Sequence, residues 1–155
     1  MRRADILLVL PSRMSSIGEL EGFVEDVIAE QGFGADLQGN LLISLTEAVT
    51  NAVRHGNKLD ADKHVRVEMW RMRDRLKVVV TDEGAGFKPS TIPDPTSPAF
   101  LEQEGGRGVF LMRALTDDIQ FCADGRCVEM YYDFAVQELG QLVASARGES
   151  SAIRA

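Results

Sequence analysis

The stretch "LTEAVTNAVRHGN", Leu45 to Asn57, decides how the rest of the chain is read. At about 100° per residue, with Leu45 at zero, Leu41, Ala48 and Ala52 fall within about 60° of it. Leu42, Val49 and Val53 fall at about 40–80°. These positions form an apolar stripe, so the pattern predicts a helix from about Asp36, its N-cap, to His55, with Gly56 as its stop. Glu47, Asn51 and His55 recur at steps of four, at about 200°, 240° and 280°, on the far side. A polar far side is ordinary for an amphipathic helix, but its content here is not. Thr46, Thr50 and Asn51 stand where a solvated face usually carries Lys, Arg and Glu, and asparagine is a mediocre helix former. The helix by itself leaves a solvated face and a ligand site both open.

Around this helix the chain reads as one mixed domain. "ADILLVLPS" is a short first strand ended by Pro11. "SSIGELEGFVEDVIAEQGF" has a serine start and helical spacing in Ile17, Leu20, Phe23, Val24, Val27 and Ile28, with a stop near Gly32. After His55, Val65, Val67 and Met69 alternate with Arg66, Glu68 and Trp70, and a turn near Arg73-Asp74 leads to a second strand, Leu76 to Asp82. From Lys88 to Gly105 the chain holds four of its five prolines and no period, and reads as a mobile surface segment inside the domain. "GRGVFLMRALTD" resumes as a short helix, "DIQFCADGRCVEMYYDF" as a strand pair around Asp124-Gly125, and residues 139–155 as a fraying C-terminal helix and tail. Grouped helices and hairpins of this kind make an α/β fold, a two-layer α/β sandwich with helices on one face of a mixed, mostly antiparallel sheet.

Composition narrows the function. A chain of 155 residues with 45% hydrophobic and 26% charged residues is a globular domain able to bury a core. A net charge of −7 argues against direct nucleic-acid binding and suits protein partners, or an anionic ligand that arrives with a cation. The apolar run "ILLVL" is too short to be a signal-peptide core or to span a membrane. Cys122 and Cys127 lack a CxxC spacing or neighbouring metal ligands, so they are expected to be buried strand thiols in a reducing cytoplasm rather than redox groups.

Two glycine clusters decide between the readings of the helix. In "TDEGAGF", Thr81 to Phe87, Asp82 continues the inward row Leu76, Val78, Val80, where an unpaired carboxylate is costly. A bound base with an exocyclic amine is one donor for it, and a turn in which Asp82 caps its own backbone is the other. In "EGGRGVF", Glu104 to Phe110, glycines open a helix whose N–H groups and dipole suit phosphate, and Arg107 adds a cation. The cluster is neither a Walker A loop nor a Rossmann fingerprint.

Taken together, "SLTEAVTNAVRHGN", "VTDEGAGF" and "GGRGVFLMRALTDDI" resemble, in order and spacing, the ATPase superfamily of gyrase, the Hsp90 chaperone, histidine kinases and MutL-type repair proteins, with its Bergerat-type ATP-binding fold. Within that superfamily they look most like the small anti-sigma factor serine kinases of bacteria. The resemblance runs from about Ala4 to Phe134 and implies a histidine kinase-like ATPase domain over residues 1–138, with a lid at about 88–105. It implies that Asn51 holds Mg²⁺, and that Glu47 is the general base for a substrate serine attacking the γ-phosphate of ATP. It further implies that Asp82, with Gly84 and Gly86, receives the adenine. Gly106, Arg107 and Gly108, with Val109 and Phe110 behind them, would hold the phosphates. His55 matches a nucleotide-contacting position, although a helix-terminal imidazole bound to local carbonyls is the alternative. His64 is read as structural.

The implied partners are a STAS-domain antagonist, phosphorylated on serine, and an RNA polymerase sigma factor, which the kinase otherwise binds and inhibits. Homodimerisation is a family expectation. Two departures stand out. The last strand commonly begins Gly-Thr in this family, whereas here Arg126 and Cys127 stand near the expected threonine; and the first helix is acidic, with no arginine for docking. A nucleotide-binding partner switch without phosphotransfer is therefore the alternative function. A histidine kinase fragment is disfavoured, because no histidine precedes His55 to accept phosphate. No HRD or DFG motif of the eukaryotic-type protein kinases occurs either.

Overall fold

Alternation of burial along "ILLVLP", "HVRVEMWR", "RLKVVVT" and "CVEMYYD", interrupted at the buried Val79, builds a sheet with one dry and one wet face. The structure is a computed structural model that describes residues 3–86, 97–101, 106–122 and 124–134. Its elements are β1 (Ile6–Pro11), α1 (Ser16–Gln31), α2 (Ala35–Asn51), a π-helical turn (Ala52–Gly56), β2 (His64–Arg71) and β3 (Arg75–Thr81). They continue as α3 (Pro98–Leu101), α4 (Gly106–Leu115), β4 (Asp118–Phe121) and β5 (Cys127–Asp133). The strands lie in the order β1-β2-β3-β5-β4. Every described pairing is antiparallel, so the expected mixed sheet is here an antiparallel one.

Val65, Val67 and Met69 of β2, Leu76, Val78 and Val80 of β3, and Val128, Met130 and Tyr132 of β5 are buried in one cluster with the helices. Leu20 and Val24 of α1 and Leu41, Leu45 and Val49 of α2 meet them there. Burying a side chain of this size stabilises the fold by about 1.5–3 kcal/mol, which is why the helical stripe and strand alternation settle the two-layer arrangement. Tyr132 also carries a polar link between the layers, its hydroxyl lying 2.6 Å from Ser44 Oγ. The opposite face of the sheet carries Leu7 and Val9, each 48% exposed, and a Lys77–Glu129 ion pair at 2.7 Å between Trp70 and Tyr131.

Helix ends differ from expectation in detail. Gly34, in extended conformation, caps α2, which starts at Ala35. Asp36 is therefore not the N-cap but lies in the first turn, where its charge still complements the helix dipole. The serine start of α1 works through another bond: Ser16 Oγ donates to the Pro11 carbonyl at 2.7 Å, tying the helix to the end of β1. Gly32 closes α1 in the left-handed conformation, as its position predicts.

The segment 88–105 is described only at 97–101, where Pro98–Leu101 forms a helical turn in a stretch read as aperiodic. The rest of the expected lid and the C-terminal tail lie outside the described residues.

Candidate functional site

α2 does not run unchanged to His55. After Asn51 the backbone widens into a π-helical turn, Ala52–Gly56, closed by the Asn57 N–H donating to the Ala52 carbonyl at 2.8 Å. Widened turns of this kind cluster at functional sites because they re-aim side chains. Here Asn51 and His55 both line a cavity of about 400 Å³, within the size range of small-molecule sites. Glu47 is partly buried one turn before Asn51.

The far wall of the cavity is built at the end of β3. Asp82 and Gly86 line it, while Ala52, Val80, Met112 and Phe121 provide apolar surface between the walls. The Asp82 N–H donates to the Arg126 carbonyl at 2.9 Å, and its Oδ1 accepts the Gly84 N–H at 2.7 Å. The capped turn and the inward carboxylate are thus both realised. Burial pushes the Asp82 carboxyl above its ordinary range, opposed by the Gly84 N–H and by the charge of Arg126. Glycines make this wall possible. A Cβ on Gly56 would lie 2.4 Å from Asp82 Cγ, one on Gly84 2.1 Å from the Gly56 carbonyl oxygen, and one on Gly86 1.9 Å from the Asp124 carbonyl oxygen.

The near wall is the start of α4. Gly106 and Val109 line the cavity, and Gly106 and Gly108 are buried. A Cβ on Gly108 would sit 2.7 Å from Glu47 Oε2 and 3.3 Å from Asn51 Nδ2. The absence of that side chain brings the first turn of α4 directly onto the Glu47–Asn51 face. Of the other expected residues, Glu47, Gly84, Arg107, Gly108 and Phe110 do not line the cavity; Arg107 and Phe110 are exposed, Phe110 at 38%. His64 stands at the start of β2, its backbone N–H donating to Glu83 Oε2.

Sequence reasoning missed three contributors. Gly56 is more than a helix stop, because it packs against the Asp82 carboxylate. Asn57 is fully buried: its Nδ2 donates to Ser12 Oγ at 2.6 Å and to the His64 carbonyl at 3.0 Å, and its Oδ1 accepts the Glu83 N–H at 2.8 Å. It therefore ties the helix end to β1, β2 and the Asp82 turn, and the polar residue directly after the helix-stopping glycine was the available signal. Arg126, noted only with Cys127 as a departure from Gly-Thr, lines the cavity, and its Nε and Nη2 both donate to Asp124 Oδ2, at 2.9 and 2.6 Å. Cys122 and Cys127 also depart from expectation. They are partly exposed rather than buried, and the hairpin loop between them sets them opposite each other, with Cα atoms 5.3 Å apart.

A helix carrying Glu47 and Asn51, a glycine-lined Asp82 turn and a glycine helix start facing one cavity agree with a sequence comparison. The histidine kinase-like ATPase domain matches residues 10–132. The chain belongs to that family. This ATPase-domain chain is similar to the serine-protein kinase RsbW of Listeria monocytogenes, 32% identical over 139 residues, 84% of this chain and 82% of that one. It is similar also to the serine-protein kinase RsbW of Bacillus subtilis, 31% identical over 121 residues, 74% and 76% of the two chains. Among solved structures, a mycobacterial sensor histidine kinase, MprB, aligns with a TM-score of 0.51 over 83% of this chain and 98% of its own. At 13% identity that likeness concerns the fold. No helix among the described residues of the domain is long and apolar enough to cross a membrane.

Proposed function

We propose that the protein is an anti-sigma factor serine kinase. It uses Mg-ATP to phosphorylate a serine on a STAS-domain antagonist and otherwise binds and inhibits an RNA polymerase sigma factor. The observation that carries this reading is the meeting of Glu47, Asn51 and Gly108: a carboxylate and an amide are held together against a glycine helix start, at the edge of a cavity whose far wall is Asp82.

The residues fit the chemistry. Asn51 offers a hard amide oxygen of the kind Mg²⁺ prefers, and the metal would neutralise phosphate charge. The first N–H groups of α4 at Gly106, Arg107 and Gly108 suit phosphate oxygens. The Asp82 carboxylate, in a partly apolar wall, suits a hydrogen bond from an adenine amine. Glu47, one turn from Asn51, would accept the proton of the attacking serine hydroxyl.

The second reading is a nucleotide-responsive partner switch without phosphotransfer. It is favoured by Glu47 standing behind Gly108 rather than in the cavity lining, and by Arg126 and Cys127 in place of the Gly-Thr that the family resemblance leads one to expect.

Incubation with a candidate antagonist and labelled ATP separates the two. The wild type should label a serine. Asn51→Ala should lose nucleotide binding and transfer together. Glu47→Gln should keep nucleotide affinity and lose transfer by at least about 100-fold. Full transfer by Glu47→Gln would remove Glu47 as the base, and nucleotide binding without labelling by the wild type would leave the partner switch.

A further inference from the structure

Cys122 lies outside the cavity lining and Cys127 within it, and together they close the hairpin that forms one of its walls. Their Cα atoms are 5.3 Å apart, a separation that a disulfide spans. The Cys122 N–H donates to the Cys127 carbonyl at 3.0 Å, extending the β4–β5 ladder by one rung beyond Phe121 and Val128. Both cysteines fall on the wet face of the sheet, in register with Gln120 and Glu129, and both are partly exposed, so a small oxidant or a dithiol can reach the sulfurs.

The loop that this pair closes carries nucleotide-site contacts on its other side. The Arg126 carbonyl accepts the Asp82 N–H, and the Asp124 carbonyl packs against Gly86. Gly125, Arg126 and Cys127 themselves line the cavity. Whatever holds Cys122 to Cys127 therefore holds the Asp82–Gly86 wall in position.

We propose that Cys122 and Cys127 are a reversible dithiol–disulfide switch, closed by hydroperoxides and reopened by dithiols, whose closed state preorganises the wall of the nucleotide cavity. One thiolate attacks the peroxide, giving a sulfenic acid and water. The second thiol then attacks that sulfur, forming the S–S bond and releasing a second water, so two thiols and one hydrogen peroxide become one disulfide and two waters. A dithiol reductant reverses this and leaves as its own disulfide. The two sulfurs and a Glu129 oxygen also lie within 4.8 Å of one another, a spacing that metal ligands share. Glu129 is, however, already engaged by Lys77 at 2.7 Å and by the Tyr131 hydroxyl at 2.7 Å, which favours the redox use of the sulfurs.

The coupling to nucleotide rests on the ATP-site reading above, so the test reads the two separately. The full chain is treated with hydrogen peroxide or dithiothreitol. Intact mass and free-thiol titration follow the disulfide, amide exchange follows Gly125 to Val128, and calorimetry follows ADP and a non-hydrolysable ATP analogue.

Oxidation should remove both free thiols, slow exchange in the hairpin and strengthen nucleotide binding by about three- to tenfold. The Cys122→Ser variant, which cannot close the disulfide and leaves the cavity lining unchanged, should bind like the reduced protein and gain no affinity on peroxide treatment. Retention of both thiols under peroxide, or zinc bound by the reduced chain, would overturn the switch. Equal affinity of the oxidised and reduced forms would overturn its coupling to the cavity. Binding by neither form would instead remove the nucleotide reading and the coupling with it, while mass and exchange still judged the dithiol.

Discussion

The two glycine-built walls of the cavity are held by different kinds of contact. At the Asp82 wall, Gly84 and Gly86 press against the carbonyl oxygens of Gly56 and Asp124, backbone against backbone. At the α4 wall, Gly108 presses against the ends of Glu47 and Asn51 side chains. A carbonyl fixed in a turn cannot step aside, whereas a carboxylate end can rotate to another rotamer. The first wall is therefore a rigid frame and the second an adjustable contact. That difference suits a site in which one end recognises a ligand and the other must rearrange as a group is transferred.

The comparison can be broken most forcefully at Gly84. In Gly84→Ala the new Cβ would lie 2.1 Å from the Gly56 carbonyl oxygen, and stability should fall by about 4 kcal/mol or more. Urea unfolding measures this, and a loss below about 1 kcal/mol would show that the frame is not rigid.

Asn57→Ala comes next. It strips hydrogen-bond partners from Ser12, His64 and Glu83 at a fully buried position. The expected loss is about 3 kcal/mol. Thermal unfolding should show it, and an unchanged midpoint would mean that the helix end and the Asp82 turn are held by something else.

Gly108→Ala should behave in the opposite manner. The Cβ meets the end of Glu47, and alanine favours the helix, so stability should change by no more than about 1 kcal/mol. Phosphotransfer should drop by about tenfold or more as Glu47 is displaced. A stability loss as large as that of Gly84→Ala would erase the distinction between the walls.

The smallest effect is a pH dependence. Burial raises the Asp82 carboxyl above its ordinary value, so the folded state holds that proton to higher pH than the unfolded state does. Stability falls as pH rises from the ordinary carboxylate range through the raised value, and the cost then persists. Asp82→Asn, which keeps an oxygen for the Gly84 N–H, removes that titration. Its stability relative to the wild type should grow across the same window and level off above it, by a small amount because the group is half-exposed. A pH-independent difference between the two proteins would refute the shift.

The sequence by itself determined the layers and named the candidates for the site. Period-two strands and a helical stripe can bury their apolar faces in few ways, whereas Glu47, Asn51, Asp82 and the glycine helix start each allowed an ordinary reading and became site candidates only through the order and spacing of their three motifs. Tertiary structure decided what depends on approach between distant segments. Helical periodicity cannot reveal that the backbone widens after Asn51, since a π turn keeps the same residues and changes only their aim. The roles of Gly56 and Asn57 appear only when the turn after β3 folds back onto the helix end. The pairing of Cys122 with Cys127 follows from the hairpin that sets them opposite each other, a register that local composition does not state. Side-chain pattern is a one-dimensional property and is read directly, whereas close backbone approach is fixed only when the whole sheet is assembled.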